Sequence, residues 1–297
     1  MSRIFAGDPA GADWRNWASW RRVRAIGLLP IGGAAAAGGL AAGSLAEFVE
    51  SLASYAPDSY PGPVRALAED LLRRQSAIAP IVGLVNTVFL HLDDGPEALA
   101  TELRGLQERL ATSARLLGEV GAALIEEGSS VLTFGGSGSV KAVLTKAASS
   151  RRIFVSCAAT MPMAEGVEMA ADLAAAGVAV DLIPDDEVVD ALPDHDLMMM
   201  GVSALGPAGV TNIVGSAEIV AEAEAAGLPV YLVASVEKAL PGVLFDRAVA
   251  AGSAEGYYEP IPLEAISLVV TEFGVLDPRA AGALAAERSV AVPLTEA

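Results

Sequence analysis

Cysteine is all but missing: the 297-residue chain has one, Cys157. That excludes an internal disulfide framework and any cysteine-built metal cluster. Histidine is almost as scarce, with only His91 and His195, so neither a zinc site nor a His-dependent nucleophilic triad is expected. Lysine is limited to Lys141, Lys146 and Lys238, so a lysine at a functional turn stands out. Positive charge falls well short of negative, 19 Lys+Arg against 37 Asp+Glu, leaving a formal charge of −18. Neutralising a row of backbone phosphates is therefore not expected, and nucleic acid is a poor direct partner. A small phosphorylated metabolite can still be held by a local site.

Long, strongly hydrophobic runs are lacking too. The uncharged stretch 25–46 is mostly Ala and Gly, has Pro30 inside it, and holds few of the Leu, Ile and Phe residues that drive membrane insertion. It reads as a small-residue helix–turn element rather than a span or an export signal, and a cytoplasmic location is expected. What the chain does have is apolar material: 53% hydrophobic and 19% charged residues, enough for a packed core in two domains and incompatible with disorder.

Two textures meet near residue 128. Before it, apolar spacing is helical: Leu45, Phe48, Val49 and Leu52 mark one helix, and Val64, Leu67, Leu71 and Leu72 another. The longest opens at Asp94-Gly95-Pro96, runs through Leu99, Leu103, Leu106, Leu110, Leu117, Val120 and Leu124, and stops at Gly128. After Gly128, continuously apolar strands are expected at 131–134, 153–157, 178–183, 197–201, 230–233 and 268–271. Ala-rich helices at 140–148, 164–175 and 217–226 separate several of them. The expected organisation is a helical subdomain over 1–127, then a Rossmann-like, mostly parallel α/β domain over 128–297.

In such a sheet, ligands sit at the carboxyl ends of the strands. The turn after the first strand is Gly135-Gly136-Ser137-Gly138-Ser139, followed by a helix. Glycines let successive N–H groups converge, the helix start adds partial positive charge, and serines add hydroxyls: a cradle for an anion, best suited to phosphate. The same residues also make an ordinary strand-to-helix turn. The P-loop signature fails, because Lys141 does not follow a glycine at the required spacing. The dinucleotide fingerprint fails as well: the next strand ends Cys157-Ala158-Ala159, without an acid. No cofactor is expected. Lys238 follows the fifth strand and reads equally as a phosphate ligand or a loop lysine. Cys157 and Met198–Met200 read as strand core, His195 as a turn residue, and Glu165 as a helix-start acid.

At this point the order of residues 130–278 resembles the alpha/beta/delta subunit family of initiation factor 2B, a superfamily that includes ribose-1,5-bisphosphate and methylthioribose-1-phosphate isomerases. Val131-Leu132-Thr133 with the Gly/Ser turn resembles the family's V-L-T-H-x-x-S-x-x-V. Pro162-Met163-Ala164-Glu165-Gly166 resembles R-P-x-x-E-G, Gly201-Val202-Ser203-Ala204 resembles G-A-D-A, and Asn212-Ile213-Val214-Gly215-Ser216 resembles N-K-I-G-T. Lys238 and Thr271-Glu272-Phe273-Gly274 resemble the closing lysine and T-E-x-G. The resemblance implies a site built from Gly135–Ser139, Ser203, Asn212, Gly215 and Lys238, a phosphorylated sugar or nucleotide as ligand, and association through the α/β domain into a homodimer or larger assembly. The isomerases' cysteine and aspartate fall on Gly135 and Ser203, and the arginine and lysine of two motifs on Met161 and Ile213. A serine cannot take a carboxylate's role near neutral pH. Ser203 is the one weak catalytic candidate, and the expectation is a regulatory, non-catalytic binding protein. The alternatives are an aldose–ketose isomerase acting on a sugar 1-phosphate and a scaffold that retains only the fold.

Overall fold

In a computed structural model of the protein, the described residues are 13–26, 33–56 and 59–295. The chain divides into two compact units: one ends at Ala111 and regains the chain from Ser289, and the other is Thr112–Arg288.

The first unit is helical among its described residues, with α1 (Ala18–Ile26), α2 (Ala34–Tyr55), α3 (Pro61–Arg74), α4 (Ala79–His91) and the opening turns of α5 (Pro96–Ala122). Proline stands in the first turn of α3, α4 and α5, where a missing N–H leaves no helical bond unmade. Much of the small-residue stretch becomes α2, which buries Ala41, Ala42, Leu45, Ala46, Phe48 and Val49. A side chain at its Gly38 would come within 2.7 Å of Pro80, and one at Gly43 within 2.5 Å of Gln107. Small residues are thus needed because α2 lies directly against α4 and α5. No helix among the described residues is long and apolar enough to cross a membrane. Residues 27–32 of that stretch lie outside the described residues.

The second unit carries β1 (Ser130–Thr133), β2 (Phe154–Ala158), β3 (Ala179–Ile183), β4 (Leu197–Gly201), β5 (Ala204–Leu205), β6 (Gly209–Ile213), β7 (Val230–Val233), β8 (Tyr258–Pro262), β9 (Leu268–Thr271) and β10 (Gly274–Leu276). Its helices are α6 (Gly138–Ala148), α7 (Glu165–Ala175), α8 (Val188–Ala191), α9 (Ser216–Ala225), α10 (Gly242–Glu255) and α11 (Pro278–Ala286). Seven strands form one sheet in the order β10-β9-β7-β4-β1-β2-β3, parallel except for the β9–β10 hairpin. The six strands expected from the sequence are β1, β2, β3, β4, β7 and β9. The structure adds β10 and a second, antiparallel sheet, β5-β6-β8. β5 is only two residues long, and β8 contains Pro260 and Pro262, so neither carries a strand signal.

Alternation along the strands divides the core between the two faces of the large sheet. Leu132, Met198, Met200, Leu232 and Val269 fill one side, and Val131, Val155, Cys157, Met199, Val233 and Val270 the other. Cys157 is a small hydrophobe here, its thiol pushed up to about 12 by burial. β3 departs from the fully apolar expectation: it is the sheet's edge, and Ala179, Asp181 and Leu182 are exposed. Strand order runs outward from β1 in one direction and from β4 in the other, so the crevice between their carboxyl ends is where such sheets receive ligands.

Two glycines near that crevice should respond oppositely to alanine. A Cβ on Gly166 would lie 1.6 Å from the Ala158 carbonyl oxygen, whereas one on Gly138, the first residue of α6, meets nothing within 4 Å. Because backbone cannot yield cheaply, Gly166→Ala is expected to cost about 3 kcal/mol or more, and Gly138→Ala to leave the thermal midpoint level or slightly raised. Thermal unfolding followed by circular dichroism checks both; a neutral Gly166→Ala would contradict this packing.

Candidate functional site

The turn after β1 makes a sharp bend at Gly135, whose φ is +82°, a region that favours glycine. A side chain there would also come within 2.8 Å of Ile213 Cδ1. The next amide, Gly136 N–H, donates to Glu165 Oε2 at 3.2 Å. Ser137 caps α6: its hydroxyl oxygen accepts from Val140 N–H at 3.3 Å, and its carbonyl from Lys141 N–H at 2.9 Å. Ser139 is buried in the first turn of that helix. Ser137 also packs against the end of β4, since a Cβ on Gly201 would sit 2.4 Å from Ser137 Oγ.

Ser203 and Asn212 stand beside the small sheet. Ser203 N–H donates to Thr211 O at 2.7 Å, and its hydroxyl is hydrogen-bonded to the Tyr258 phenol. Burial raises Tyr258 above the usual phenol range; the Ser203 bond opposes the shift, and the charges of Glu165 and Glu255 add to it. Asn212 is buried and donates to Ser216 Oγ at 3.1 Å. Gly215, at φ +97°, precedes α9, and a side chain there would come within 3.1 Å of the Phe134 ring.

Lys238 does not extend into solvent. It is 7% exposed, and its ammonium donates to the Val202 carbonyl at 2.7 Å. Burial lowers it to about 8. Around it, Arg288 joins Glu237 at 3.3 Å and donates to Ala239 O at 3.0 Å, while Val236 N–H donates to Glu272 at 2.9 Å. Burial is the main cause that raises the Glu272 carboxyl. These bonds connect the ends of β4, β7 and β9 to one another.

A cavity of about 380 Å³ lies beside the β1 turn, toward β2 and β3. Phe134, Ile213, Ile219 and Tyr257 line it, together with Met161, Pro162 and Met163 from the loop after β2. Its charged groups are Glu165, Asp185 and Glu218, with no lysine or arginine among the lining residues. Asp185 holds the loop in place by accepting from Thr160 N–H at 2.6 Å and Met161 N–H at 2.7 Å. Of the nine binding residues expected from the sequence, Gly215 lines this cavity, the glycine turn borders it through Phe134, and Lys238 is turned toward the main chain. Asp185 and Glu218 were not among the expected residues; an acid directly after β3 was the available signal for the first. Among the described residues, no group of three His, Cys, Asp or Glu side chains could hold a metal.

The buried ammonium has a consequence for stability. Lys238 has a folded value of about 8 against an ordinary 10.5, so between those limits the unfolded chain binds more protons, and stability rises with pH. Cys157 works in the opposite sense above 9.0, its ordinary value. Comparing wild type with Lys238→Met removes that contribution. The wild type is expected to gain stability relative to the variant from pH 8 upward, as measured by urea unfolding at several pH values; parallel profiles would place the lysine in solvent.

Comparisons with known proteins bear on the fold. A ribose 1,5-bisphosphate isomerase of Archaeoglobus fulgidus is 23% identical over 287 residues, covering 89% of this chain and 91% of that protein. The tetrameric eIF2B-beta2-delta2 complex from C. thermophilum contains a chain that superposes with a TM-score of 0.72 at 18% identity, covering 97% of this chain and 99% of that one. The 5-methylthioribose 1-phosphate isomerase of Pyrococcus horikoshii OT3 gives 0.62 at 18% identity, covering 88% of this chain and 85% of that one. The helical N-terminal region followed by a mostly parallel sheet is the fold they share. The model of the initiation factor 2 subunit family matches residues 86–257, more than half of the sequence, and the chain belongs to that family.

Proposed function

We propose that this chain is a non-isomerising member of the family that acts by binding a small molecule at the cavity beside its strand ends. The observation that supports this most is the state of the three positions where chemistry would be sought. Gly135 has no side chain, the Ser203 hydroxyl is bonded to Tyr258, and the Lys238 ammonium is bonded to a main-chain carbonyl. Proton shuttling between adjacent sugar carbons needs a paired acid and base within reach of the substrate, and these positions supply none. A phosphorylated sugar or nucleotide is the ligand that the family resemblance suggests. To use the glycine turn, its phosphate would have to take the Gly136 amide from Glu165. Self-association into a homodimer or larger assembly belongs to the same reading, in line with the tetramer formed by one relative, as does a cytoplasmic location.

The second reading is an aldose–ketose isomerase, favoured by the relative from Archaeoglobus fulgidus. Incubation with ribose 1,5-bisphosphate or methylthioribose 1-phosphate separates the two. No ketose above the enzyme-free rate is expected from wild type or from Ser203→Ala, in a protein that light scattering finds larger than a monomer. Clear wild-type turnover that falls in Ser203→Ala would establish the isomerase instead, and a strict monomer would remove the assembly from the proposal.

A further inference from the structure

The class of ligand can be taken further from the walls of the cavity, on the reading that it is a binding site. Its volume of about 380 Å³ falls in the usual range for small-molecule sites. Around its mouth, four large apolar side chains are left in solvent together: Met161 at 64% exposure, Met163 at 56%, Val214 at 56% and Tyr257 at 48%. Scattered apolar residues need no explanation, but a cluster that rims a concavity marks a place where apolar surface is meant to be covered. With the buried Phe134 ring, the Tyr257 ring and the two thioethers of that rim offer polarisable, electron-rich walls of the kind that hold organic cations.

Charge points the same way. The three charged lining residues are all carboxylates, with no lysine or arginine among them. Asp185 is held in place by two main-chain N–H groups. Glu218, in the first turn of α9, is exposed, and no side chain among the described residues pairs with it. A phosphate in this space would face three carboxylates, with the nearest turn amide already donated to Glu165. The chain's formal charge of −18 further raises the local concentration of cations and lowers that of anions.

We propose that the cavity binds an organic cation with an apolar body: an ammonium group set among Glu165, Asp185 and Glu218, with an aromatic or aliphatic portion against Phe134, Met163 and Tyr257. Three probes with one apolar body and different charge test it by calorimetry on the full chain: 2-phenylethylamine, 2-phenylethanol and phenyl phosphate. The amine is expected to bind about tenfold tighter than the alcohol, and the phosphate not at all. Glu218→Gln should weaken the amine several-fold and leave the alcohol unchanged, while Tyr257→Ala should weaken both. Amine binding no tighter than the alcohol's, or untouched by either variant, would overturn the proposal. Preferential binding of phenyl phosphate or ribose 5-phosphate would overturn the cationic class while leaving the cavity as a binding site. Failure of every probe, including ribose 5-phosphate and AMP, would overturn both.

Discussion

The hydrogen bond from Lys238 to the Val202 carbonyl governs what the strand ends of this protein can do. A charged ammonium removed from water is costly unless it is bonded, and burial here is deep enough to bring it down to about 8. The bond ties the turn after β7 to the connection between β4 and β5, a link reinforced by Leu240 N–H donating to Leu205 O at 2.8 Å. Arg288, Glu237 and Glu272 surround it with further internal bonds. A lysine that reads in sequence equally as a phosphate ligand or a loop residue is here bonded within the fold. Directed at a carbonyl, it leaves the cavity beside β1 without a cation.

The same inward turn of polar groups recurs nearby. Ser137 both caps α6 and packs against Gly201 at the end of β4, beside the place where an open parallel sheet normally admits a ligand. Glu165 takes up the Gly136 amide, and Tyr258 the Ser203 hydroxyl. The cavity beside them opens toward the loops after β2 and β3, where the lining is apolar and acidic. A fold shared with these isomerases here carries a cavity with an apolar and acidic lining, as can arise when function resides in grafted side chains rather than in the sheet.

Much of the fold was legible in the sequence because its signals are local and strong. Runs such as Leu197–Gly201 are apolar on both faces of the sheet, and Pro96 followed by heptad-like leucines announces α5. The small sheet escaped notice because pairing, not composition, creates it: β5 is two residues long, and β8 is proline-bearing. The site was legible only in part. Gly135 and Gly215 show their backbone role in their identity, since both have positive φ. The direction of Lys238 was not legible, because a lysine after a strand points into a site or away from it according to which carbonyls the tertiary fold leaves open. Likewise, Glu165 belongs to the helix start in sequence, and only the close approach of the β1 turn makes it a partner of Gly136.

The inward-turned lysine is the claim on which the account stands, and its ammonium can be observed directly. Heteronuclear NMR of Lys238, assigned by comparison with Lys238→Met, should follow a titration near pH 8 that does not move when ribose 5-phosphate is added. A midpoint close to the 10.5 of an ordinary lysine, shifting upward with the phosphate, would put the side chain in the ligand's path and contradict the account.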